Sequence, residues 1–532
     1  MKKTMFTFCP AIFMLILTVI LLNGCGSSSA PIPTTNIPPI NDVPTTVVDT
    51  SAATHCSFTE AAININTEEI SRIETENYDT CENSYLDNTP DNSGQVYRDQ
   101  NVDIQSNNSL SNGYYINDMQ EGEYLEYSVI VSKSGLYQLT YHARAKADLG
   151  ENNTAKLQVS ILKQDNEEVL KNSELQLTST ENSTWQNITQ SNVYLSDGEQ
   201  TIRVNVLADG AELDYLEFNY NEPLSYEPFT AVNLMKVGLN LGNTLDAPNE
   251  GDWAPKAQQQ YFIDFKKAGF NNVRIPVTWA EHTALTAPYN IDEAWLSRVD
   301  QVVDWALSQN YFVILNAHHE AWLKEHFDNA INRERFTAIW QQIIDRFQHK
   351  SARLVFEILN EPHGMNTEQV NGVNDQILTM IRDKNPKRLV VFSGAGWTPL
   401  ESLLEANVPQ FNYIIGNFHV YDPWEFAGLC TRSWGSQEDI DKLEDIYNRA
   451  QAWSRQNNIP VTINEVGVAK YDFQHPENKC KQSERIAYYQ AHVEFAKQRN
   501  IAISIWDDSG SFGLYNRANG TWPEELSVLV TP

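Results

Sequence analysis

LVFEILNEPHG occupies residues 354–364, and its reading decides the fold. Leu354, Val355, Phe356, Ile358 and Leu359 form a short, nearly continuous apolar run. That is the pattern of a parallel strand covered on both faces. Pro362 has no N–H for a ladder hydrogen bond, so the strand ends there. Asn360 and Glu361 are left at its C-terminal tip. One polar strand end is ordinary; a series of them is not.

From about residue 231 to the end the chain repeats this rhythm. Apolar strand-like runs fall at 237–242, 271–277, 311–318, 354–362, 389–396, 413–421, 460–467 and 501–508. Amphipathic helical patterns lie between them, as at 294–310 and 333–350. About eight βα repeats in roughly 300 residues predict an α/β fold, a (β/α)8 TIM barrel over 231–532. A doubly wound open sheet is the rival. It lacks support: in GLNLGNT (238–244) a Gly-rich dinucleotide fingerprint fails at Asn240 and Asn243. The strand tips carry Asn243, Arg274, His318, His319, Asn360, Glu361, His419, Tyr421, Glu465, Trp506 and Asp507. Barrel active sites are built from C-terminal strand ends. Two glutamates on different strands suit cleavage of a glycosidic bond, in which one carboxyl protonates the leaving oxygen and the other attacks carbon or activates water. No metal is needed for that chemistry. His318-His319-Glu320 invites a metal reading, but the spacing is not HExxH, and strand alternation points adjacent side chains to opposite faces, separating the two imidazoles.

Upstream, residues 70–220 alternate apolar and polar positions in YLEYSVIV, GLYQLTYHARA, AKLQVSIL and TIRVNVLA, with turn signals between them. Short strands at regular spacing predict a β-sandwich domain before the barrel. No acid pair or Ser/His arrangement there suggests catalysis. The chain starts with a basic MKK, an apolar stretch from about Ala11 to Leu22 and then small residues, the form of a signal peptide over 1–25. An uncleaved anchor is the rival, but the apolar stretch is short for a span of roughly 20 residues. Residues 26–69 read as a Pro/Thr/Ser-rich tether.

Of the six cysteines, Cys9 and Cys25 lie in the leader, leaving Cys56, Cys81, Cys430 and Cys480. An exported chain with an even remainder suggests disulfides. The pairings Cys56–Cys81 and Cys430–Cys480 keep each bridge local in the chain. The 532 residues, 41% hydrophobic, suffice for two or three domains. With 38 Lys and Arg against 69 Asp and Glu, the net charge of −31 repels nucleic acid and anionic lipid headgroups. It is compatible with a neutral polysaccharide.

Three resemblances add to this reading. Leu22-Asn23-Gly24-Cys25 resembles a bacterial lipobox, although Asn23 is not the usual small residue. It implies that Cys25 is lipidated and that the protein is exported and held at the cell envelope, or secreted. Residues 73–78, 124–131, 184–188 and 213–218 resemble carbohydrate-binding modules of family 6. That resemblance implies a jelly-roll sandwich with a structural calcium on Glu74, Glu76 and Asp214, acidic oxygens being what a hard cation needs. Its sugar cleft is only partly matched: Glu212 stands where that family usually has Asn.

The barrel region resembles family 5 glycoside hydrolases through GLNLGNTLDA (238–247), NNVRIPVTW (271–279), NAHHE (316–320), ILNEP (358–362), FHVYDPW (418–424), INEVG (463–467) and SIWDD (504–508). The resemblance implies a retaining mechanism with no catalytic cofactor. Glu361 is then the acid/base and Glu465 the nucleophile. Asn360 binds the sugar 2-hydroxyl, and Arg274 keeps Glu465 ionised. His419 and Tyr421 hydrogen-bond around Glu361 and Glu465. His318 and Trp506 line the cleavage subsite, and His319 supports it. Asn243 and Asp246 match positions that bind sugars further along, and Trp397 and Trp424 offer stacking faces. With the nucleophile charged, the pKa of the acid is expected to rise. The implied substrate is a β-1,4-glucan: cellulose, mixed-linkage glucan, xyloglucan or glucomannan. An endo-β-1,4-mannanase is the alternative within the class. A monomeric surface lipoprotein that holds polysaccharide without cutting it is the alternative outside it.

Overall fold

A computed structural model describes residues 57–530, apart from 59–60, 147–148, 151–152, 163–167, 172–173 and 180. The expected signal segment, Cys25 and Cys56 lie outside the described residues. Among the described residues no helix is long and apolar enough to cross a membrane.

The N-terminal domain is a two-sheet β-sandwich. One sheet runs Ile63–Ile65, Tyr124–Val131, Gly198–Ala208, Thr154–Leu162, Leu175–Thr178; the other runs Gln186–Leu195, Gly135–Ala145, Ala211–Tyr220, Tyr114–Met119, Ile104–Ser106. Strict alternation explains the packing. Along Gly135–Ala145, Leu139, Tyr141, Ala143 and Ala145 are buried, while Gln138, Thr140, His142 and Arg144 are not. The inward faces of both sheets share one core. Strand Ile63–Ile65, parallel to Tyr124–Val131, corrects the expected boundary. The sandwich starts within the stretch read as tether, because three residues were too few to register as a strand.

The C-terminal domain is a closed barrel of eight parallel strands: β1 (Val237–Asn240), β2 (Asn272–Ile275), β3 (Phe312–Asn316), β4 (Leu354–Glu357), β5 (Val390–Ser393), β6 (Ile414–Val420), β7 (Val461–Val466) and β8 (Ala502–Ile505). Helices such as Glu293–Ser308 and Ala330–Phe347 pack around it. The lower interior is apolar. Phe312, Ile314, Val355, Val391, Ile415 and Ala502 pack under Tyr226 and the helix Pro228–Met235, which stopper the N-terminal mouth. The upper interior is polar, with Asn240, Arg274, Asn316, Glu357, Asn417 and Asn464 all buried. A disulfide joins Cys430 to Cys480, tying the loop after β6 to the loop after β7.

The two domains are docked through a polar interface. Nζ of Lys350, buried at the foot of β4, sits 2.9 Å from Asp197, 2.6 Å from Asp300 and 2.9 Å from Asp304. The Tyr194 and Ser196 hydroxyls of the sandwich donate to Asp304 at 2.7 and 2.8 Å. Ser134 N donates to His349 O at 3.0 Å, and Ser351 N to Ser134 Oγ at 2.9 Å. Residues 349–351 precede β4, and Asp300 and Asp304 lie at the middle and in the second half of the helix Glu293–Ser308, which leads into β3. The sandwich therefore contacts the barrel at its N-terminal end. A buried cation shared by three carboxylates is costly to remove, because its partners stay behind unpaired. Lys350→Ala should lower stability by about 3–5 kcal/mol, read as a fall in the urea midpoint. A loss under about 1 kcal/mol, the worth of an exposed pair, would show that these carboxylates rehydrate freely.

Candidate active site

The centre of the site is Arg274 on β2, with no side-chain exposure. A guanidinium has five N–H donors, and each has a partner here. Nε and Nη2 donate to the two Glu357 oxygens at 2.8 and 2.7 Å. Nη1 donates to Asn240 Oδ1 at 3.0 Å and to Glu465 Oε1 at 2.6 Å. Nη2 also donates to Asn360 Oδ1 at 2.7 Å. One side chain thus ties four strands or strand ends together. Its two carboxylate partners raise its pKa in spite of burial, so it is always charged.

Glu465 lies on β7, immediately after a bulge. Phe418 pairs with Ile463 and His419 with Glu465, leaving Asn464 as the extra residue. A bulge re-aims side chains. Asn464 and Glu465 both reach polar partners inside the barrel, Glu357 at 2.6 Å and Arg274 at 2.6 Å. The Tyr421 hydroxyl donates to Glu465 Oε2 at 3.0 Å. Glu361 follows β4 with φ +34°, a strained value for a non-glycine residue of the kind that gathers at functional sites. Asn360 N donates to Ala317 O at 2.9 Å, which holds the turn against the neighbouring strand end. His419 Nδ1 is 2.9 Å from Glu361 Oε1 and 3.8 Å from Glu465 Oε2. One oxygen of each glutamate and one nitrogen of His419 lie within 4.8 Å of one another.

The electrostatics of the two glutamates are coupled through His419. Burial raises both glutamates. At Glu361 the hydrogen bond and charge of His419 outweigh burial and the pKa falls; at Glu465 burial, with the charge of Glu361, wins and the pKa rises. Burial opposes charge on His419 too, but the two carboxylates raise its pKa. His419, 2.9 Å from Glu361 and 3.8 Å from Glu465, couples the titrations of the two carboxyls.

Other expected residues surround the trio. His318 is buried and far too depressed in pKa, by desolvation first, to carry a proton. Its ring lies parallel to Trp506 at 5.8 Å, and its nitrogens are 3.3 and 3.4 Å from the Asn316 and Asn360 amides. The expected separation of His318 from His319 does not occur. Their ring centroids are 4.5 Å apart, because β3 ends at Asn316 and strand alternation no longer applies. With Asp246 they form a cluster of three metal-type ligands, although both Asp246 oxygens already accept backbone N–H groups. Those donors are Thr244 at 2.7 Å and Asn243 at 3.1 Å. Asp246 has no side-chain exposure and shapes its loop through these two bonds, with His319 Nε2 3.7 Å away. Trp397 and Trp424 are 64% and 50% exposed, free to stack on a ligand. Trp397 lies flat on His363 at 4.1 Å.

Four residues escaped the sequence reading. Glu357 is hidden inside the apolar run 354–359. Asn464 adjoins Glu465 in INEVG. Lys324, buried with Nζ 2.7 Å from His318 O, has its pKa lowered to about 8 by burial, against the pull of Glu320, Glu361 and Glu465. Trp253, 50% exposed and edge-on to His319 at 5.4 Å, extends the aromatic surface. A charge inside a strand covered on both faces must be paired, and that rule alone pointed to Glu357.

In the sandwich, Glu74 Oε2, Glu76 Oε2 and Asp214 Oδ1 are buried without hydrogen-bond partners. Burial, with the mutual repulsion of the three acids, raises Glu76 to about 7 and also raises Glu74 and Asp214. Oxygens left orphaned in this way fit a hard cation. The three are more dispersed than the two clusters in the barrel, so backbone carbonyls would have to complete the shell.

Comparison with known proteins agrees with the barrel reading. Residues 232–511 match the family described as Cellulase (glycosyl hydrolase family 5). The chain belongs to glycosyl hydrolase family 5. Endoglucanase H of Acetivibrio thermocellus is 43% identical over 321 residues, which cover 59% of this chain and 34% of that protein. Endoglucanase B of Clostridium cellulovorans is 30% identical over 363 residues, covering 62% of this chain and 79% of that one. This chain thus spans only about a third of the first relative. The crystal structure of endoglucanase Cel5A from Thermotoga maritima aligns over 57% of this chain and all of its own, with a TM-score of 0.54 and 31% identity. Residues 98–218 match the carbohydrate binding module of family 35, which corrects the expected family 6. The sandwich fold is shared, and the short motifs did not separate the two.

Proposed function

We propose that the chain is a retaining, endo-acting β-1,4-glucanase. The observation that carries this reading is the spacing of Glu361 and Glu465, whose nearest oxygens lie within 4.8 Å. A retaining pair sits roughly 5 Å apart, whereas an inverting pair needs about 6.5–9.5 Å to admit a water. Glu465 attacks the anomeric carbon as the bond to the leaving oxygen breaks, and Glu361 gives that oxygen its proton. The glycosyl–Glu465 ester then meets a water. Glu361 takes the water's proton, the oxygen bonds to carbon, and Glu465 leaves as the carboxylate. Arg274 and Tyr421 steady the charge that Glu465 loses and regains. Asn360 faces the 2-hydroxyl, Trp506 and His318 floor the cleavage subsite, and Asn243, Trp253, His319, Trp397 and Trp424 extend the groove.

The relatives named as endoglucanases, and a similar solved structure of a Bacillus licheniformis endo-β-1,4-glucanase, favour β-1,4-glucan as substrate. A mannan-cleaving reading has one specific support: Thermotoga maritima Cel5A was crystallised with mannotriose as well as with cellobiose. The sandwich binds polysaccharide, with a calcium ion on Glu74, Glu76 and Asp214 that stiffens its loops when bound. The leader and Cys25 place the enzyme, by a lipid, at the cell envelope.

Glu361→Gln and Glu465→Gln should each cut hydrolysis of barley β-glucan by at least about 10²–10⁴-fold with unchanged circular dichroism. Substantial activity in either variant overturns its assignment, and a wild type inert on every β-glucan and β-mannan favours the non-catalytic alternative. Preference for pure mannan over glucans would keep the two glutamates and replace the substrate. EDTA should lower the melting temperature of the full chain while sparing kcat. Lost activity that calcium restores would move the metal to the catalytic machinery.

A further inference from the structure

Glu357 is the one carboxylate of the polar layer that touches neither the cleft nor, on the reading above, the substrate. It has no side-chain exposure. It binds Arg274 through both oxygens, at 2.8 and 2.7 Å. Two further donors hold it: Asn316 Nδ2 at 3.2 Å and Asn464 Nδ2 at 2.6 Å. The other charged face of Arg274 meets Glu465 at 2.6 Å. One buried cation is thus divided between two carboxylates on opposite sides of the barrel interior, β4 and β7.

We propose that Glu357 is a positioning residue that acts through Arg274: its bidentate grip fixes the guanidinium plane, and its charge keeps Arg274 from neutralising the nucleophile Glu465. Two physical arguments carry this. First, bidentate pairing orients a guanidinium as a single hydrogen bond cannot. With Glu357 as its anchor, Nη1 points at Glu465 Oε1 before any substrate arrives. Second, a carboxylate beside an unshared buried cation is held strongly as the anion and is correspondingly reluctant to form a bond to carbon. Sharing the cation leaves Glu465 ionised yet basic.

Position and charge are separable, because other groups facing Glu465 stay fixed. These are His419 and Tyr421 at the end of β6, Glu361 after β4 and Lys324 after β3. Around Glu357 the charged groups are Arg274 and, further off, His419; Asn316 and Asn464 are neutral donors. Removing the Glu357 charge leaves Arg274 wholly to Glu465, so the nucleophile becomes a weaker base. Removing the Asn464 amide instead leaves Glu357 a stronger partner for Arg274, so Glu465 loses part of its stabilisation.

The two variants therefore carry opposite signs, which a merely structural role does not produce. In the full chain, Glu357→Gln should move the acidic limb of kcat/KM to lower pH by about one unit and lower kcat, with KM within a few-fold. Asn464→Ala should move the limb to higher pH. Glu357→Asp keeps the charge but shortens the reach; it should leave the limb in place while kcat falls by about 10²-fold. A limb unmoved in both Gln and Ala variants, or moved the same way by both, overturns the proposal. Should Glu357→Gln fail to fold, the Asn464→Ala and Glu357→Asp limbs decide alone: an upward shift in the first with none in the second supports it, and any other pattern overturns it. The proposal rests on Glu465 as nucleophile. An active Glu465→Gln enzyme would refute that reading separately, whatever the limbs do.

Discussion

The structure depends on burying one positive charge. Arg274 stands inside the barrel, away from water, where an unpaired ion would cost several kcal/mol or more. All five of its donors are satisfied, by Glu357, Asn240, Glu465 and Asn360. The acceptors come from three strands, Glu357 and Asn360 from β4 and its end, Asn240 from β1 and Glu465 from β7, so the pairing fixes where β1, β4 and β7 stand relative to β2. The polar layer satisfies this cation, and Glu361 and Glu465 stand at its upper edge. Precision at the site is then a by-product of electrostatics rather than of loop packing.

Beneath that layer the barrel changes character. Its lower interior is apolar and is stoppered by Tyr226 and the helix Pro228–Met235. The segment joining the two domains is therefore part of the barrel's floor. The sandwich docks beside it through Lys350 and its three aspartates. The sandwich turns that make this contact, near Ser134, Ser196 and Glu222, lie at the opposite strand ends from Glu74, Glu76 and Asp214.

Much of this was legible along the chain. Eight apolar runs with polar tips pointed to a closed barrel because such runs mark parallel strands covered on both faces, and no Gly-rich fingerprint in 238–244 supported the doubly wound rival. Glu361 and Glu465 stand out because carboxylates at strand tips have few purely structural uses. What escaped were effects of proximity. The neighbourhood of His318 and His319 depended on β3 ending at Asn316. The hold of Asp246 on its own loop depended on two backbone N–H groups turning inward. The coupling of the two glutamates depended on His419 standing between them.

The sequence by itself determined the barrel, the sandwich and the two glutamates, because periodicity and strand-end chemistry are local properties written in consecutive residues. Only the tertiary structure decided how the charges are shared. Arg274 and Glu357 are 83 residues apart, and Arg274 and Glu465 are 191 apart. Their coupling exists only once β2, β4 and β7 close around one interior, where low polarity makes every pairing count.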